Sequence, residues 1–229
     1  LTWLFNYDIV KVKNHGDSII FSSRPSVITN MFNIKRDSFD LLSYTIPVHL
    51  RSIIEFVEMY SKPLNRTIKR THKCSDDVAD DHYFGREPLL RMYNVPDYSL
   101  EQGISGGLIE YQSNNGFTND DLNMQQTVND QDINNLTNII GNNAGIDAES
   151  ELDVQMMSQA ADGIKLWFWD TPYWLYSLAA DFYNSENIPN IISMSWGWAE
   201  DSQCDIIDCS SITSKQYVER VNNEYLKIS

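Results

Sequence analysis

Apolar runs that alternate with helix-start signals, from Pro88 onward, constrain the fold of this chain most strongly. The runs lie at residues 108–111, 136–140, 164–169 and 191–197. Helix signals lie between and after them, among them a capping pattern at Thr118 and a capping box at Thr213 with Gln216. Strands and helices in this order form a parallel sheet with helices on both faces, so we predict an α/β fold. Ligands of such sheets bind beyond the carboxyl ends of the strands, and the loop after residues 191–195 should therefore border a site.

The first 60 residues show the mixed pattern of a small α+β unit. Strands are predicted at 9–12 and 18–21, followed by a helix from Pro25 toward Phe32. A second short helix is predicted at 53–57. Residues 61–84 carry a basic run and then an acidic run, a composition typical of an exposed linker that proteases can reach.

The charge balance is strongly acidic, with 17 Lys and Arg against 32 Asp and Glu and a net charge of −15. This balance argues against nucleic acid or an anionic membrane surface as a partner. Repulsion among the carboxylates decreases when they are protonated, so an acidic compartment suits the chain. No apolar run is long enough to span a bilayer.

The cysteines and sequons indicate a secretory route. Cys74, Cys204 and Cys209 lack the paired spacing of a metal site. Cys204 and Cys209 could close a small loop in an oxidising lumen, which leaves Cys74 free or paired elsewhere. Sequons that begin at Asn65 and Asn135 make these two residues candidate glycosylation sites.

One stretch resembles the opening of a calcium-binding loop. Asp130, Asp132 and Asn134 have the right spacing, but Asn135 and Gly141 occupy the positions that need Gly and Glu. The four histidines are scattered and have no other ligand at metal-site spacing. We therefore predict no metal and no cofactor in this chain.

Residues 145–161 are rich in helix formers, and two acids lie one turn apart within them. Glu149 and Asp153 are four residues apart, so their side chains lie on one face of the helix. Two carboxylates held that close can share a proton, which suits acid–base chemistry, although such a pair can also be a solvated face. The face predicted to be buried consists of Leu152, Met156 and Ala160, joined by Ala148 and Ala161.

These segments, taken in order, resemble the sedolisins, which are serine-carboxyl peptidases, and especially their lysosomal tripeptidyl-peptidase branch. The segment from Glu149 to Asp153 is similar to the E-x-x-x-D helix of that family, and residues 193–197 to its S-x-S-[WY]-G strand end. Residues 46–57 resemble the end of the family's propeptide, and 88–95 the start of its catalytic domain.

The resemblance implies a partial subtilisin-like parallel sheet with helices on both faces, preceded by a small α+β unit. Residues 1–60 would be the C-terminal part of a propeptide, 61–84 an activation linker and 85–229 the N-terminal half of a catalytic domain. With an intact linker the chain would be a zymogen form.

The family mechanism implies roles for individual residues. Glu149 would be the general base that takes the proton of a nucleophilic serine, and Asp153 would orient Glu149. Ser195, Trp196 and Gly197 would line the substrate cleft, although core packing is an equally good interpretation of Trp196. A carboxylate base implies an acidic working pH and a lysosomal, vacuolar or secreted location.

The family's A-S-G-D strand, its S-G-T-S nucleophile and its calcium site have no counterpart up to Ser229. The resemblance therefore implies that the nucleophile, the oxyanion aspartate and the calcium lie in the remainder of the catalytic domain, in the same or a separate chain. We expect this chain alone to be inactive and the completed protein to cleave peptide or protein substrates.

Two alternatives remain open. The first is a non-catalytic protein that uses the sedolisin scaffold for binding or structure, in which case the complete reading frame lacks S-G-T-S. The second is an unrelated α/β glycoprotein in which Glu149 and Asp153 simply face solvent, far from Trp196.

Overall fold

The computed structural model describes residues 2–36, 42–59, 85–96, 103–111 and 115–228. The chain forms two compact units, each assembled from separate stretches of sequence. One unit comprises Leu1–Lys62, Pro172–Asn187 and Gly197–Ser229, and the other Pro63–Thr171 and Ile188–Trp196. The three predicted domains, 1–60, 61–84 and 85–229, concern processing of the chain and stay a prediction.

A four-stranded parallel sheet is the centre of the second unit. Its strands are β5 (Ser105–Tyr111), β6 (Asn138–Ile140), β7 (Lys165–Thr171) and β8 (Ile191–Ser193). The spatial order is β6-β7-β5-β8, and all three pairings are parallel. Each strand overlaps an apolar run, so the predicted parallel α/β sheet is confirmed.

Helices α2 (Arg86–Met92), α3 (Asn119–Val128) and α4 (Ala148–Ala160) belong to the same unit. Thr118 begins α3, because its hydroxyl accepts the backbone N–H of Asp121 at 3.1 Å. Buried apolar side chains from α3, α4, β5, β7 and the loops next to them form one core. The members are Leu108, Phe117, Leu122, Leu136, Val154, Ile164, Leu166 and Phe168.

The face of α4 that is buried differs from the predicted one. Leu152 is 54% exposed and Met156 39%. The buried positions are instead Ser150, Val154, Ser158 and Gln159. Small side chains on this face allow close packing, and the hydroxyl of Ser158 accepts a hydrogen bond from Gln126 Nε2 at 2.9 Å. A rule based only on apolar spacing therefore selected the wrong side of the helix.

The first unit begins with a β-hairpin and a helix, as predicted. Strands β1 (Ile9–Asn14) and β2 (Ile19–Ser23) pair antiparallel, and α1 (Pro25–Phe32) follows with Pro at its first position. A second antiparallel pair joins β3 (Lys35–Arg36) to β4 (Leu42–Ser43). The core of this part contains Leu4, Met31, Phe32, Tyr44, Ile46 and Leu50.

Helices α5 (Leu175–Tyr183) and α6 (Ser214–Tyr225) complete the first unit. The capping box of α6 is present in both directions between Thr213 and Gln216. Cys204 and Cys209 form a disulfide, with their Cα atoms 5.2 Å apart.

The prediction of a short helix at residues 53–57 is wrong. A 3₁₀ turn covers Val48–Leu50, and residues 54–59 have no regular secondary structure. The backbone of this segment forms hydrogen bonds with side chains instead of the hydrogen bonds of a helix. Tyr44 Oη accepts the N–H of Val57, and Ser211 Oγ donates to the carbonyl of Glu55.

The predicted linker 61–84, Asn65 and Cys74 lie outside the described residues. No described helix has the length and apolar character needed to cross a membrane. Within the described ranges there is also no group of three or more His, Cys, Asp or Glu side chains arranged to hold a metal ion.

Candidate active site

Two buried carboxyl groups lie side by side at the carboxyl ends of β5 and β7. Glu110 pairs with Asp170 in the register of the two strands. Glu110 is fully buried and Asp170 is 3% exposed. Paired residues of neighbouring strands point to the same face, and here that face also carries Leu108 and Phe168 of the core beneath α3 and α4. Acids in such a position are costly to bury, which marks this edge as a candidate site.

Asp170 is held by the loop that follows β5. Asn115 Nδ2 donates to Asp170 Oδ1 at 3.0 Å and also to the carbonyl oxygen of Tyr111. The next residue, Gly116, contacts the backbone of Gly145 so closely that a Cβ atom would overlap the Gly145 carbonyl. This approach ties the loop after β5 to the loop before α4.

The close contact between Gly116 and Gly145 also places the first turns of α4 at the edge of the sheet. The N–H of Asp147 donates to the carbonyl of Gly116 at 2.9 Å. Asp147 then begins the helix, because its Oδ2 accepts the N–H groups of Glu149 and Ser150 at 3.1 and 3.3 Å. Glu149 and Asp153 are both partly buried, and Oδ2 of Asp153 is fully enclosed.

The carboxyl groups at the start of α4 lie close enough to Glu110 to affect its pKa. The pKa of Glu110 is raised to about 8, mainly by burial and further by the charges of Asp153, Glu149 and Asp147, although the hydrogen bond from Trp196 lowers it. Glu110 therefore keeps its proton at acidic and neutral pH, while carboxylates on α4 remain close to it. A neutral carboxyl group adds no charge to the cluster and can donate a hydrogen bond.

Trp196 joins the end of the fourth strand to this cluster. Its indole Nε1 donates to Glu110 Oε2 at 2.8 Å. The Trp196 ring meets Tyr111 edge-on, with ring centres 5.8 Å apart, and the Tyr111 hydroxyl donates to Met194 Sδ at 3.3 Å. The polar end of Trp196 is thus part of the acidic cluster, which core packing alone does not require.

The structure brings together most of the residues selected from sequence. Glu149 and Asp153 of α4 lie near Glu110, and Trp196 binds Glu110 directly. Ser195 and Gly197, on either side of Trp196, are exposed, as is the sequon residue Asn135.

Sequence analysis missed three members of the cluster, which are Glu110, Asp170 and Asn115. Glu110 and Asp170 each follow a run of apolar residues and are the second-last residues of β5 and β7, and an acid at that position is the signal that could have identified them. Asn115 carries no comparable signal, because its role depends on the path of the loop after β5.

Fold and site together define a class: parallel α/β proteins with a cluster of carboxyl groups at the carboxyl ends of their strands. No family model matches the chain. Among known proteins, the chain is 32% identical over 190 residues to physarolisin from Physarum polycephalum, which is a sedolisin-family peptidase. The match covers 81% of this chain and 32% of physarolisin.

The chain is therefore a partial homologue of the sedolisin family, and it spans about a third of the length of the relative it matches. This homology implies a subtilisin-like fold, which agrees with the parallel sheet.

Proposed function

We propose that this chain is part of an acid-acting serine-carboxyl peptidase that hydrolyses peptide bonds. The observation that carries the proposal is the convergence on Glu110, which accepts a hydrogen bond from Trp196 and is electrostatically coupled to Glu149 and Asp153. An unrelated protein with a solvated acidic pair has no reason to bury a third acid beside that pair.

Glu149 is the proposed general base for a serine hydroxyl supplied from outside the described residues. Asp153, one turn further along α4, orients Glu149 and tunes its affinity for a proton. A general base is most efficient when its pKa lies near the operating pH, and carboxyl groups ordinarily titrate in the acidic range, so the activity should be highest at acidic pH.

Glu110 adds an electrostatic element to this arrangement. With a pKa of about 8 it is neutral at the proposed working pH, so it adds no negative charge to the site. Trp196 fixes its carboxyl group, and exposed Ser195 and Gly197 flank the same strand end, where a peptide would bind.

Further features belong to the same proposal. An oxyanion aspartate and a calcium ion would come from the remainder of the catalytic domain, and residues 61–84 would be cut to release residues 1–60. A lysosomal, vacuolar or secreted location, with glycans at Asn65 and Asn135, would match the acidic working pH.

The test is a Glu149→Gln substitution in the complete protein that contains this chain, with kcat/KM for a peptide substrate measured at about pH 4. Removing a general base lowers kcat/KM by about 100- to 10,000-fold. Asp120→Asn is the matched control, because it removes an exposed acid from the first turn of α3 and should leave kcat/KM unchanged.

Two outcomes contradict the proposal. Full activity of a folded Glu149→Gln variant rejects the role of Glu149. A complete wild-type protein that lacks both activity and an S-G-T-S sequence supports the alternative of a non-catalytic sedolisin scaffold.

A further inference from the structure

Within the second compact unit, the loop after β5 is hydrogen-bonded to the segment that leads into α4. The side chain of Asn143 joins both backbone groups of Phe117, because its Oδ1 accepts the N–H at 2.9 Å and its Nδ2 donates to the carbonyl at 3.2 Å. Together with the close contact between Gly116 and Gly145, this double bond fixes the position at which α4 begins.

Glu151 extends this contact into the first turns of α4. Its Oε1 accepts the backbone N–H of Thr118, the N-cap residue of α3, at 2.7 Å. Its Oε2 accepts Gln155 Nε2 at 3.3 Å. Glu151 follows Glu149 by two residues, which is about 200° around the helix, so it contacts the start of α3 while Glu149 lies near Glu110.

A second carboxyl group, that of Asp121, binds the same threonine. The Thr118 hydroxyl donates to Asp121 Oδ2 at 2.8 Å and accepts the N–H of Asp121 at 3.1 Å. The carboxyl groups of Glu151 and Asp121 thus meet at Thr118, and they are also hydrogen-bonded to each other. Because an ionised carboxylate has no donor, a hydrogen bond between two carboxyl groups requires that one of them carries a proton.

The surroundings of Glu151 favour its protonated form. Burial raises the pKa of Glu151, and the charge of Asp121 and the hydrogen bond with it raise the pKa further, although the hydrogen bonds from Thr118 and Gln155 lower it. The largest effect of a charge on Glu151 comes from Asp121. The other charged residues on the elements that pack around α4, and on α4 with its N-cap, are Arg86, Glu87, Arg91, Glu110, Asp120, Asp147, Glu149, Asp153, Lys165 and Asp170.

We propose that Glu151 is a positioning residue for the peptidase reaction: it holds the start of α4, and with it Glu149, against the loop after β5 while Glu151 and Asp121 share one proton. Loss of that proton places two negative charges at Thr118, which weakens the contact and lowers the activity at higher pH. This inference rests on the proposed function, and it adds a second cause of an acidic working pH to the ionisation of the general base.

The test measures kcat and KM for a peptide substrate at about pH 4 and pH 7, in the complete protein that contains this chain. Glu151→Gln keeps an acceptor for the N–H of Thr118 but cannot ionise. Its kcat at pH 4 should therefore equal that of the wild type, and its decrease in kcat between the two pH values should be about 3-fold smaller. Glu151→Ala also removes the acceptor, so its kcat at pH 4 should fall by about 10-fold, with KM changed by less than about 2-fold.

Asp121→Asn changes the other member of the pair and should reproduce the smaller decrease in kcat. Combining it with Glu151→Gln should add nothing, because either change alone removes the repulsion between the two charges. The matched control is Asp120→Asn, which removes an exposed acid from the same turn of α3 and should leave kcat and its pH dependence unchanged.

Hydrogen exchange of the backbone N–H groups in residues 115–121 tests the contact without using activity. After correction for the intrinsic effect of pH, the wild type should lose protection between pH 4 and pH 7, and Glu151→Gln should keep it. Glu151→Ala should lack this protection at both pH values.

A Glu151→Gln variant whose kcat has the pH dependence of the wild type would overturn the proposal, as would a folded Glu151→Ala variant with unchanged kcat at pH 4. If Glu151→Ala does not fold, the first comparison still decides. Failure of the proposed function gives a different pattern, in which Glu149→Gln stays active while the protection of residues 115–121 still depends on Glu151.

Discussion

At the scale of single residues, the raised pKa of Glu110 makes the stability of the fold depend on pH. Its pKa is raised from 4.5 to about 8, so between these values the unfolded chain loses a proton that the folded chain keeps. The contribution of Glu110 to the free energy of unfolding is therefore most favourable below about pH 4.5 and decreases as the pH rises to 8, by a few kcal/mol.

The variant Glu110→Gln should remove this loss and keep an acceptor for the Trp196 indole. We expect the unfolding free energy of the variant to decrease less between pH 5 and pH 8 than that of the wild type. Urea titrations followed by tryptophan fluorescence at the two pH values measure the difference. Parallel curves for the two proteins would show that Glu110 ionises with an ordinary pKa.

At the scale of secondary-structure elements, α4 shows which face of a helix supports the sheet. Val154 is fully buried in the core with Leu108 and Phe168, whereas Leu152 is 54% exposed. Val154→Ala should therefore lower the unfolding free energy by about 2 kcal/mol through lost contacts and a small cavity. Leu152→Ala removes more apolar atoms yet should change it by less than about 0.5 kcal/mol. Equal effects in chemical denaturation would contradict the observed orientation of α4.

The same elements show what a sequence can predict here. Strand and helix order, the Thr213 capping box and the Glu149–Asp153 turn were predictable, because each depends on residues that are neighbours in the chain. The buried face of α4 and the irregular path at residues 54–59 were not. They depend on partners such as Gln126 and Tyr44, whose positions only the folded chain defines.

At the scale of the whole molecule, the first compact unit joins residues that are far apart in the sequence. Glu58 and Tyr217 are separated by 159 positions, and Tyr44 and Ser211 by 167. No periodicity or motif predicts such pairs. Domain boundaries predicted from sequence therefore follow one another along the chain, whereas each compact unit of the structure consists of separate stretches of sequence. Glu110 and Asp170 were missed for the same reason, because strand pairing brings them together.

The net charge of −15 also acts on the molecule as a whole, and it predicts a pH-dependent effect of salt. At pH 7 the negative charges outnumber the positive ones, and their mutual repulsion destabilises the folded state. Raising NaCl from about 0.02 to 0.5 M should screen this repulsion and raise the Tm. Near the sequence pI of about 4.5 the net repulsion is gone, and salt should leave the Tm unchanged or lower it by screening ion pairs such as Lys227 with Asp17. Thermal unfolding at both pH values measures the contrast. A Tm that falls with salt at pH 7 would mean that specific ion pairs outweigh the overall charge.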